Sequence, residues 1–207
     1  MAEFKVNEIF HSYQGEGFNT GRPAIFIRLS GCNLNCRWCD TEFQTHDIMS
    51  LEDILDTISY FPVHNVVITG GEPTMDENFT ALVKALKQNG YWIALETNGT
   101  ISIDQEVLGL IDYIAVSPKS FYKGLYENAA LDKADEVRIV ADGDVLEFCE
   151  FIEDKIKAVN YFVSPCANID DNFDMLEAIE LLGKLNMRET GKKWYLSMQT
   201  HKIANIK

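Results

Sequence analysis

The chain of 207 residues carries 32 acidic and 18 basic side chains, which gives a formal net charge of −14 at pH 7. This excess of negative charge opposes non-specific binding to nucleic acid, which requires Lys and Arg to neutralise phosphates. The length predicts one domain over residues 1–207 with a substantial core. No apolar run reaches membrane-spanning length and no signal-peptide pattern is present, so we expect a cytoplasmic protein with no membrane partner.

Apolar periodicity predicts strands and helices that alternate along most of the chain. After a leading segment at 4–13 and a glycine-containing break at 14–17, strands are predicted at 24–29, 66–69, 91–96, 113–116, 137–140, 161–163 and 194–198. Helices are predicted after a cap at Ser50, and at 79–86, 105–110, 145–156 and 173–185. This alternation indicates an α/β fold with parallel pairing. Because several connections are too short for a full helix, we expect an incomplete (partial) β/α barrel of about six parallel strands.

Three cysteines, Cys32, Cys36 and Cys39, lie within eight residues directly after the first strong strand. Three soft sulfur ligands on one loop suit iron–sulfur or zinc chemistry. A structural zinc site needs a fourth protein ligand, and the closest candidate, His46, lies seven residues beyond the last cysteine. A four-iron cluster held by three cysteines leaves one iron open to a small molecule. The odd total of five cysteines favours a reducing cytosol and a metal site over a disulfide framework.

Glycine, proline and polar residues follow the predicted strands repeatedly. The segments are Gly70-Gly71-Glu72-Pro73, Glu96-Thr97-Asn98-Gly99, Ser117-Pro118-Lys119 and Ser164-Pro165-Cys166. Parallel strands end at one rim, where α/β proteins place their ligands, so we expect these segments to share a site. Each segment also has a structural interpretation as a capping or connecting turn, and for the last segment this is the more common one.

Several single residues carry two interpretations each. Arg28 lies in an apolar strand, where a buried guanidinium needs an acidic partner; it could bridge an internal Glu or bind a substrate carboxylate. His201 could line a site or be a hydrogen-bonded tail residue, and Thr41 could be a weak Mg²⁺ ligand or a turn cap. Cys149 and Cys166 are expected to be inert thiols outside any cluster.

The pattern Cys32-x3-Cys36-x-Trp38-Cys39 resembles the cluster loop of radical S-adenosylmethionine (SAM) enzymes. Residues 70–73, after the next strand, resemble the loop that holds the amino group of SAM in that superfamily. The resemblance implies that the three cysteines hold a [4Fe-4S] cluster whose free iron binds SAM. It also implies that SAM is contacted by residues of the cysteine loop and of the rim, namely Trp38, Cys39, Asp40, Gly71, Glu72, Gly99, Ser117, Pro118, Lys119 and Ser164.

Within the superfamily, residues 7–17, 21–29, 38–41 and 196–202 are similar to the 7-carboxy-7-deazaguanine synthase family, a likeness that spans nearly the whole chain. The resemblance implies a lyase that converts 6-carboxy-5,6,7,8-tetrahydropterin to 7-carboxy-7-deazaguanine with loss of ammonia, a step toward queuosine. A 5′-deoxyadenosyl radical would abstract hydrogen and Mg²⁺ would assist ring contraction, so cluster and SAM carry the chemistry and no catalytic side chain is expected. Thr41 would join the Mg²⁺, and the pterin site would comprise Tyr13, Gln14, Gly15, Glu16, Arg28, Thr97, His201 and the main chain of Lys207.

The same resemblance implies a homodimer and an electron donor such as flavodoxin or ferredoxin. Two other functions stay open. A glycyl-radical-enzyme activase of the same superfamily would need no pterin pocket, so the segment 14–17 and Arg28 count against it. A zinc-binding interaction module without catalysis would leave the segment 70–73 unexplained.

Overall fold

The computed structural model describes residues 2–39, 41–42, 45–128, 130–167 and 173–207. Its strands are β1 (Glu3–Tyr13), β2 (Pro23–Leu29), β3 (Asp47–Ser50), β4 (Asn65–Gly70), β5 (Trp92–Thr97), β6 (Tyr113–Val116), β7 (Lys133–Ala141), β8 (Lys157–Pro165) and β9 (Trp194–Leu196). Its α-helices are α1 (Leu51–Ser59), α2 (Phe79–Gln88), α3 (Gln105–Leu108), α4 (Leu146–Lys155), α5 (Met175–Met187) and α6 (Thr200–Ile203), and 3₁₀ turns cover Pro73–Met75 and Ser120–Tyr126.

In the described part of the chain the nine strands form one sheet in the order β3-β1-β2-β4-β5-β6-β7-β8-β9. The seven strands from β2 to β9 in this order pair in parallel, while β1 runs antiparallel to both β2 and β3. The edge strands β3 and β9 do not pair with each other, so the barrel is open. This confirms the predicted partial β/α barrel.

The leading segment at 4–13 carries no predicted element. It forms the 11-residue strand β1, whose register places Glu8 opposite Arg28. The strand is buried at Phe4 and Val6, with the exposed Lys5 between them, and its later residues are only half-buried or exposed, so its buried alternation is short. The neighbouring strand β3 was also missed, because its residues are exposed or only half-buried.

The parallel strands present different side chains to their two faces. On β2, Ile25, Ile27 and Leu29 belong to the core beneath α1 and α2, while Ala24 and Phe26 point to the opposite face. A second core lies beneath α4 and α5. The large aliphatic residues therefore stabilise the outer face, and the inner face is left for a site.

The seam between β1 and β9 is spanned by the C-terminal tail. The backbone N–H and the hydroxyl of Thr200 both donate to the carbonyl of Gly15 at 2.9 Å, and the Ser12 hydroxyl donates to the carbonyl of Lys207. The tail thus brings the end of the chain against the loop that follows β1. No helix among the described residues is both long and apolar enough to cross a membrane.

Helix α1 begins with the cap predicted at Ser50. The Ser50 hydroxyl accepts from the Asp53 backbone N–H at 3.1 Å, and the Asp53 carboxylate accepts from the Ser50 N–H at 3.1 Å. This reciprocal pair satisfies two backbone donors at the start of the helix.

We expect Ser50→Ala to lower the free energy of unfolding by about 1 kcal/mol, because the first turn loses its acceptor. Urea unfolding followed by circular dichroism measures this. The control is Thr57→Ala, whose hydroxyl bonds back to the Asp53 carbonyl within the helix at 2.7 Å; it should change stability by less than about 0.5 kcal/mol. Equal losses in both variants would contradict the assignment of the cap.

Candidate active site

The cysteine loop leaves β2 and lies across the rim against Gly70 and Gly71 at the end of β4. The Gly71 N–H donates to the Leu29 carbonyl at 3.2 Å, and the Glu72 N–H donates to the Gly31 carbonyl at 2.8 Å. A Cβ on Gly71 would lie 2.1 Å from the Gly31 oxygen and 2.8 Å from the Cys32 Cβ. Residue 71 must therefore lack a side chain for the loop to take this path.

The three thiols of the loop lie close enough to influence one another. Burial raises the pKa of both Cys32 and Cys36, and the charge of Cys39 raises each pKa further. Cys39 is exposed and the other two are half-buried. The raised pKa values favour the protonated thiols of Cys32 and Cys36 until a cation compensates the charge, and metal binding releases the protons.

This donor set fits an iron–sulfur cluster better than a single ion. In the described ranges, no three Cys, His, Asp or Glu side chains are placed to surround one metal ion. Structural zinc requires four ligands that converge on one point. The thiolates of a [4Fe-4S] cluster each bind a different iron, so three cysteines spread around one loop suit it.

A buried hydroxyl at the rim fits a polar cofactor. The Oγ of Ser164, near the end of β8, is buried and finds no hydrogen-bond partner among the residues that the structure describes. An unsatisfied buried polar group costs about 1–3 kcal/mol, which a bound ligand can recover.

Cys149 lies away from this rim. It is buried in α4, where burial raises its pKa to about 12.

The segment that follows β6 fixes the second half of the cysteine loop. The Lys119 ammonium donates to the Ser117 hydroxyl at 2.7 Å and lies 4.8 Å from the ring centroid of Trp38. The Trp38 indole N–H donates to Asp142 at 2.8 Å. Burial lowers the pKa of Lys119, although Cys36 opposes this. Sequence reasoning missed Asp142, which follows the end of β7 as the other rim residues follow their strands.

The buried carboxylate of Glu72 links the turn after β4 to the end of β5 and the turn that follows it. It is 1% exposed and accepts hydrogen bonds from the Thr74 N–H at 3.1 Å, the Thr97 hydroxyl at 2.8 Å and the Asn98 N–H at 2.6 Å. Thr97, which is predicted to line the pterin site, directs its hydroxyl to Glu72, and its contact with the pterin stays a prediction. The turn continues at Gly99, whose φ of +78° favours glycine.

Pro118 is buried directly before Lys119, and Gly71 and Gly99 lie at the rim as expected. The SAM contact predicted at Asp40 lies outside the described residues. The SAM contacts of Trp38, Cys39, Gly71, Glu72, Gly99, Ser117, Pro118, Lys119 and Ser164 stay predictions.

A cavity of about 560 Å³ lies between this rim and the barrel interior. Its walls include eight of the residues predicted to bind the pterin or Mg²⁺: Tyr13, Gln14, Gly15, Glu16, Arg28, Thr41, His201 and Lys207. They also include Gly70 and Glu96 from the predicted rim segments, and eight residues that sequence reasoning missed: Asn7, Glu8, Phe10, Phe26, Glu42, Thr69, Gln199 and Lys202. The volume suits a small bicyclic ligand.

Arg28 pairs with an internal carboxylate and also lines the cavity. Its Nε donates to Glu8 at 2.9 Å, and the Lys207 ammonium pairs with the other oxygen of the same carboxylate. Burial opposes ionisation of Glu8, but hydrogen bonds from Lys207 and Arg28 together hold its pKa below the usual range. Both interpretations of Arg28 are therefore compatible with its position: it bridges Glu8, and it lies in the cavity wall.

Arg138 on β7 connects three separate parts of the site. Its guanidinium is 7% exposed and lies 3.0 Å from Glu16, 2.6 Å from Glu96 and 2.7 Å from Glu136. Burial would lower the pKa of Arg138, but the three carboxylates outweigh it and raise the pKa. Burial likewise opposes ionisation of Glu96, yet the charge of Arg138 and hydrogen bonds hold the Glu96 pKa below its usual range.

The loop after β1 is built into this network. Gln14 donates to Glu96 at 3.0 Å, and Gln199 donates to Glu16 at 2.9 Å. A Cβ on Gly17 would lie 2.2 Å from a Glu136 oxygen. A Cβ on Gly15 would lie 2.0 Å from Nδ1 of His201. The two glycines of the Gln-Gly-Glu-Gly segment thus permit close contact with a carboxylate and an imidazole, and its two polar residues bond to the barrel interior.

We expect Gly71→Ala to displace the cysteine loop, because its Cβ would overlap the backbone at Gly31. Overpacking of this kind costs about 1–3 kcal/mol. Iron bound per chain after anaerobic reconstitution should fall. Gly183→Ala is the matched control, since a Cβ at this α5 position meets nothing within 4 Å. Iron content equal in the two variants would contradict the proposed packing.

We expect Arg138→Met to lower the free energy of unfolding by about 3–5 kcal/mol at pH 7, because buried carboxylates lose their cation. In the wild type, the pKa of Glu96 is lower in the folded state than in the unfolded state. Ionised Glu96 therefore stabilises the fold above its unfolded-state pKa, and this contribution is lost as the pH falls through its folded-state pKa. In the variant, burial alone raises the Glu96 pKa, and protonation relieves the cost. The difference in unfolding free energy between Arg138→Met and wild type should therefore become smaller as the pH falls from 7 to 5.

Arg22→Met is the control for this pH dependence. The Arg22 guanidinium lies 3.6 Å from the Trp92 ring centroid and donates to Asn65 at 2.9 Å. No carboxylate among the described residues lies within ion-pair distance of it. Urea unfolding should show the same loss of unfolding free energy for Arg22→Met at pH 7 and at pH 5. A loss in Arg138→Met that does not change with pH would contradict the proposed stabilisation of Glu96 by Arg138.

Comparison with known proteins places this geometry in a family. The family model of the radical SAM superfamily matches residues 26–182. The 7-carboxy-7-deazaguanine synthases of Haemophilus influenzae and Neisseria meningitidis are 49% and 48% identical over 98% and 99% of this chain and 94% of their own length. The enzyme of the same name from Escherichia coli K12 is 33% identical over 99% of both chains.

Two solved structures also resemble this chain. The crystal structure of QueE from Escherichia coli has a TM-score of 0.69 at 29% identity and covers 95% of this chain and 93% of its own. Streptococcus suis SuiB bound to its precursor peptide has a TM-score of 0.55 at 18% identity, with 80% of this chain and 46% of its own covered, and shares the fold alone. The chain belongs to the radical SAM superfamily and, within it, to the 7-carboxy-7-deazaguanine synthase family.

Proposed function

We propose that the protein is the enzyme that converts 6-carboxy-5,6,7,8-tetrahydropterin to 7-carboxy-7-deazaguanine with loss of ammonia, a step toward queuosine. One observation carries this proposal. Eight residues predicted to bind pterin or Mg²⁺, which are spread from position 13 to position 207, line one cavity beside the cysteine loop. A glycyl-radical activase, which acts on a protein partner, has no need of such a cavity.

Cys32, Cys36 and Cys39 would hold the [4Fe-4S] cluster, and the rim residues around Ser117 and Ser164 would hold SAM. Cluster and SAM together supply the radical chemistry that hydrogen abstraction requires, while the chain supplies position and exclusion of water. Thr41 in the cavity wall would hold Mg²⁺ together with oxygens of the substrate.

The cavity offers matching chemistry for each part of a carboxypterin. The guanidinium of Arg28 would attract the substrate carboxylate. The carboxylates of Glu16 and Glu96 would accept hydrogen bonds from N–H groups of the ring, and their bonds to Arg138 fix their orientation. Phe10 and Phe26 stack with ring centroids 5.0 Å apart and line the same cavity, where they would cover the bicyclic ring.

We further propose a cytoplasmic homodimer that takes electrons from a flavodoxin or ferredoxin. Five free thiols suit a reducing compartment. The edge strand β9 exposes Tyr195 and Leu196, which supports association of two copies at this side of the sheet.

Anaerobic reconstitution with iron and sulfide, followed by assay with dithionite, SAM, Mg²⁺ and the carboxypterin, tests the proposal. We expect 7-carboxy-7-deazaguanine and ammonia in equal amounts, measured by mass spectrometry and an ammonia assay. A fully loaded cluster that cleaves SAM but yields no deazapurine would reject this substrate.

We expect Arg28→Met to raise the KM for the carboxypterin by roughly 10- to 100-fold, because a hydrogen bond between charged groups contributes about 1.5–3 kcal/mol. Steady-state kinetics at saturating SAM measure the change. Arg22→Met is again the control, since Arg22 lies outside the cavity wall and should leave KM within about twofold. An unchanged KM in Arg28→Met would remove this residue from the substrate site.

A further inference from the structure

The last two cysteines of the loop belong to one turn. The Cys39 N–H donates to the Cys36 carbonyl at 3.3 Å, and Trp38 lies between the two cysteines in the chain. A hydrogen bond within a turn fixes these residues relative to one another but not relative to the barrel. Contacts with other segments therefore set where the turn lies.

The indole of Trp38 makes such a contact. Its N–H donates to a carboxylate oxygen of Asp142 at 2.8 Å. A hydrogen bond to a charged acceptor is roughly twice as strong as one between neutral groups. The half-buried ring of Trp38 also has its centroid 4.8 Å from the Lys119 ammonium. The residue that precedes the last cysteine is thus held both at its N–H and at its ring face.

Asp142 is in turn held by a different segment. It directly follows β7, and its carboxylate accepts from the Ser120 hydroxyl, with distances of 3.0 Å and 3.2 Å to the two oxygens. Ser120 begins the 3₁₀ turn after β6. No cationic side chain in the described ranges lies within ion-pair distance of Asp142. Hydrogen bonds from two neutral donors therefore tie the cysteine loop to the ends of β6 and β7.

We propose that Asp142 is a positioning residue for the iron–sulfur cluster, which acts through the Trp38 indole to fix the turn that carries Cys36 and Cys39. The inference rests on the proposed function in one respect, namely that the cysteines hold a cluster, and it does not depend on the substrate. Residues that orient metal ligands by hydrogen bonds strengthen metal binding. A thiolate that is held in place also rebinds before the metal is lost.

The hydrogen bonds of Asp142, rather than its charge, carry this role. An asparagine at this position keeps both bonds, because its Oδ1 can accept from Trp38 and its amide N–H can donate to the Ser120 oxygen. Alanine removes both. A comparison of the two substitutions therefore separates positioning from an electrostatic effect of the carboxylate on the cluster.

Iron loss from the reconstituted protein tests the proposal without SAM, pterin or turnover. The dithionite-reduced protein is mixed anaerobically with excess bathophenanthroline disulfonate, and the coloured ferrous complex is followed by absorbance. We expect the rate constant of iron loss to rise about tenfold in Asp142→Ala and to stay within about threefold of wild type in Asp142→Asn.

Asp135→Ala is the matched control. Asp135 is also half-buried and lies on the same strand, at the end of β7 remote from the rim, where its carboxylate accepts from the Ile114 N–H at 2.7 Å. The variant loses a comparable hydrogen bond far from the cysteine loop. Its rate constant of iron loss should stay within about twofold of wild type.

A double-mutant cycle tests whether Asp142 acts through Trp38. Trp38→Phe keeps an aromatic ring but removes the indole N–H, so it should also speed iron loss about tenfold. The double variant Trp38→Phe/Asp142→Ala should lose iron no faster than either single variant, whereas independent effects would multiply. Circular dichroism of the apoproteins checks that each variant is folded. If Asp142→Ala does not fold, Trp38→Phe decides, and a wild-type rate in that variant would overturn the proposal.

Three results would overturn positioning by Asp142. They are a wild-type rate in Asp142→Ala, equally fast iron loss in Asp142→Ala and either Asp142→Asn or Asp135→Ala, and effects that multiply in the double variant. A wild-type protein that holds no cluster would reject the proposed function and this inference together. A wild-type protein that holds the cluster but forms no deazapurine would reject the substrate alone, and the rates of iron loss would still decide the role of Asp142.

Discussion

The candidate site depends on one buried cation, the guanidinium of Arg138, and on the three carboxylates that surround it. Glu16, Glu96 and Glu136 come from a loop and two strands that are far apart in sequence, and each lies within 3.0 Å of the same side chain. Because a buried carboxylate is costly without a partner, the loop that carries Glu16 is held where its charge is compensated. The Arg138 guanidinium thereby lowers the pKa of Glu96 and fixes the positions of both Glu16 and Glu96 in the cavity wall.

Close backbone contacts add to this electrostatic constraint. Gly15 lies against His201, and Gly71 lies against the start of the cysteine loop, in both cases at distances that exclude a side chain. The first contact joins the loop after β1 to the C-terminal tail, and the second joins the cysteine loop to the rim. The cavity wall thus includes Thr41 and Glu42, which directly follow the cysteine loop, and Glu16 and Glu96, which pair with Arg138.

The sequence predicted the features that depend on local pattern: the alternating elements, the cysteine trio and the polar rim segments. It did not reveal which charges pair, because the partners Arg138 and Glu96 are 42 residues apart and a charged residue in a strand does not identify its partner. The signal that singled out Arg28 was also present for Glu136 and Arg138, which alternate along β7 within an apolar run. Pairing of Arg28 with an internal Glu was one of the two interpretations, but Glu8 could not be identified as the partner without β1, whose apolar alternation is short.

A crystal structure of the reconstituted enzyme with SAM and the carboxypterin would test this account most directly. We predict that the pterin lies in the cavity with its carboxylate toward Arg28 and its ring N–H groups toward Glu16 and Glu96, while Arg138 keeps all three of its acidic partners. A pterin bound outside this cavity, or an Arg138 separated from Glu16 in the complex, would contradict the account.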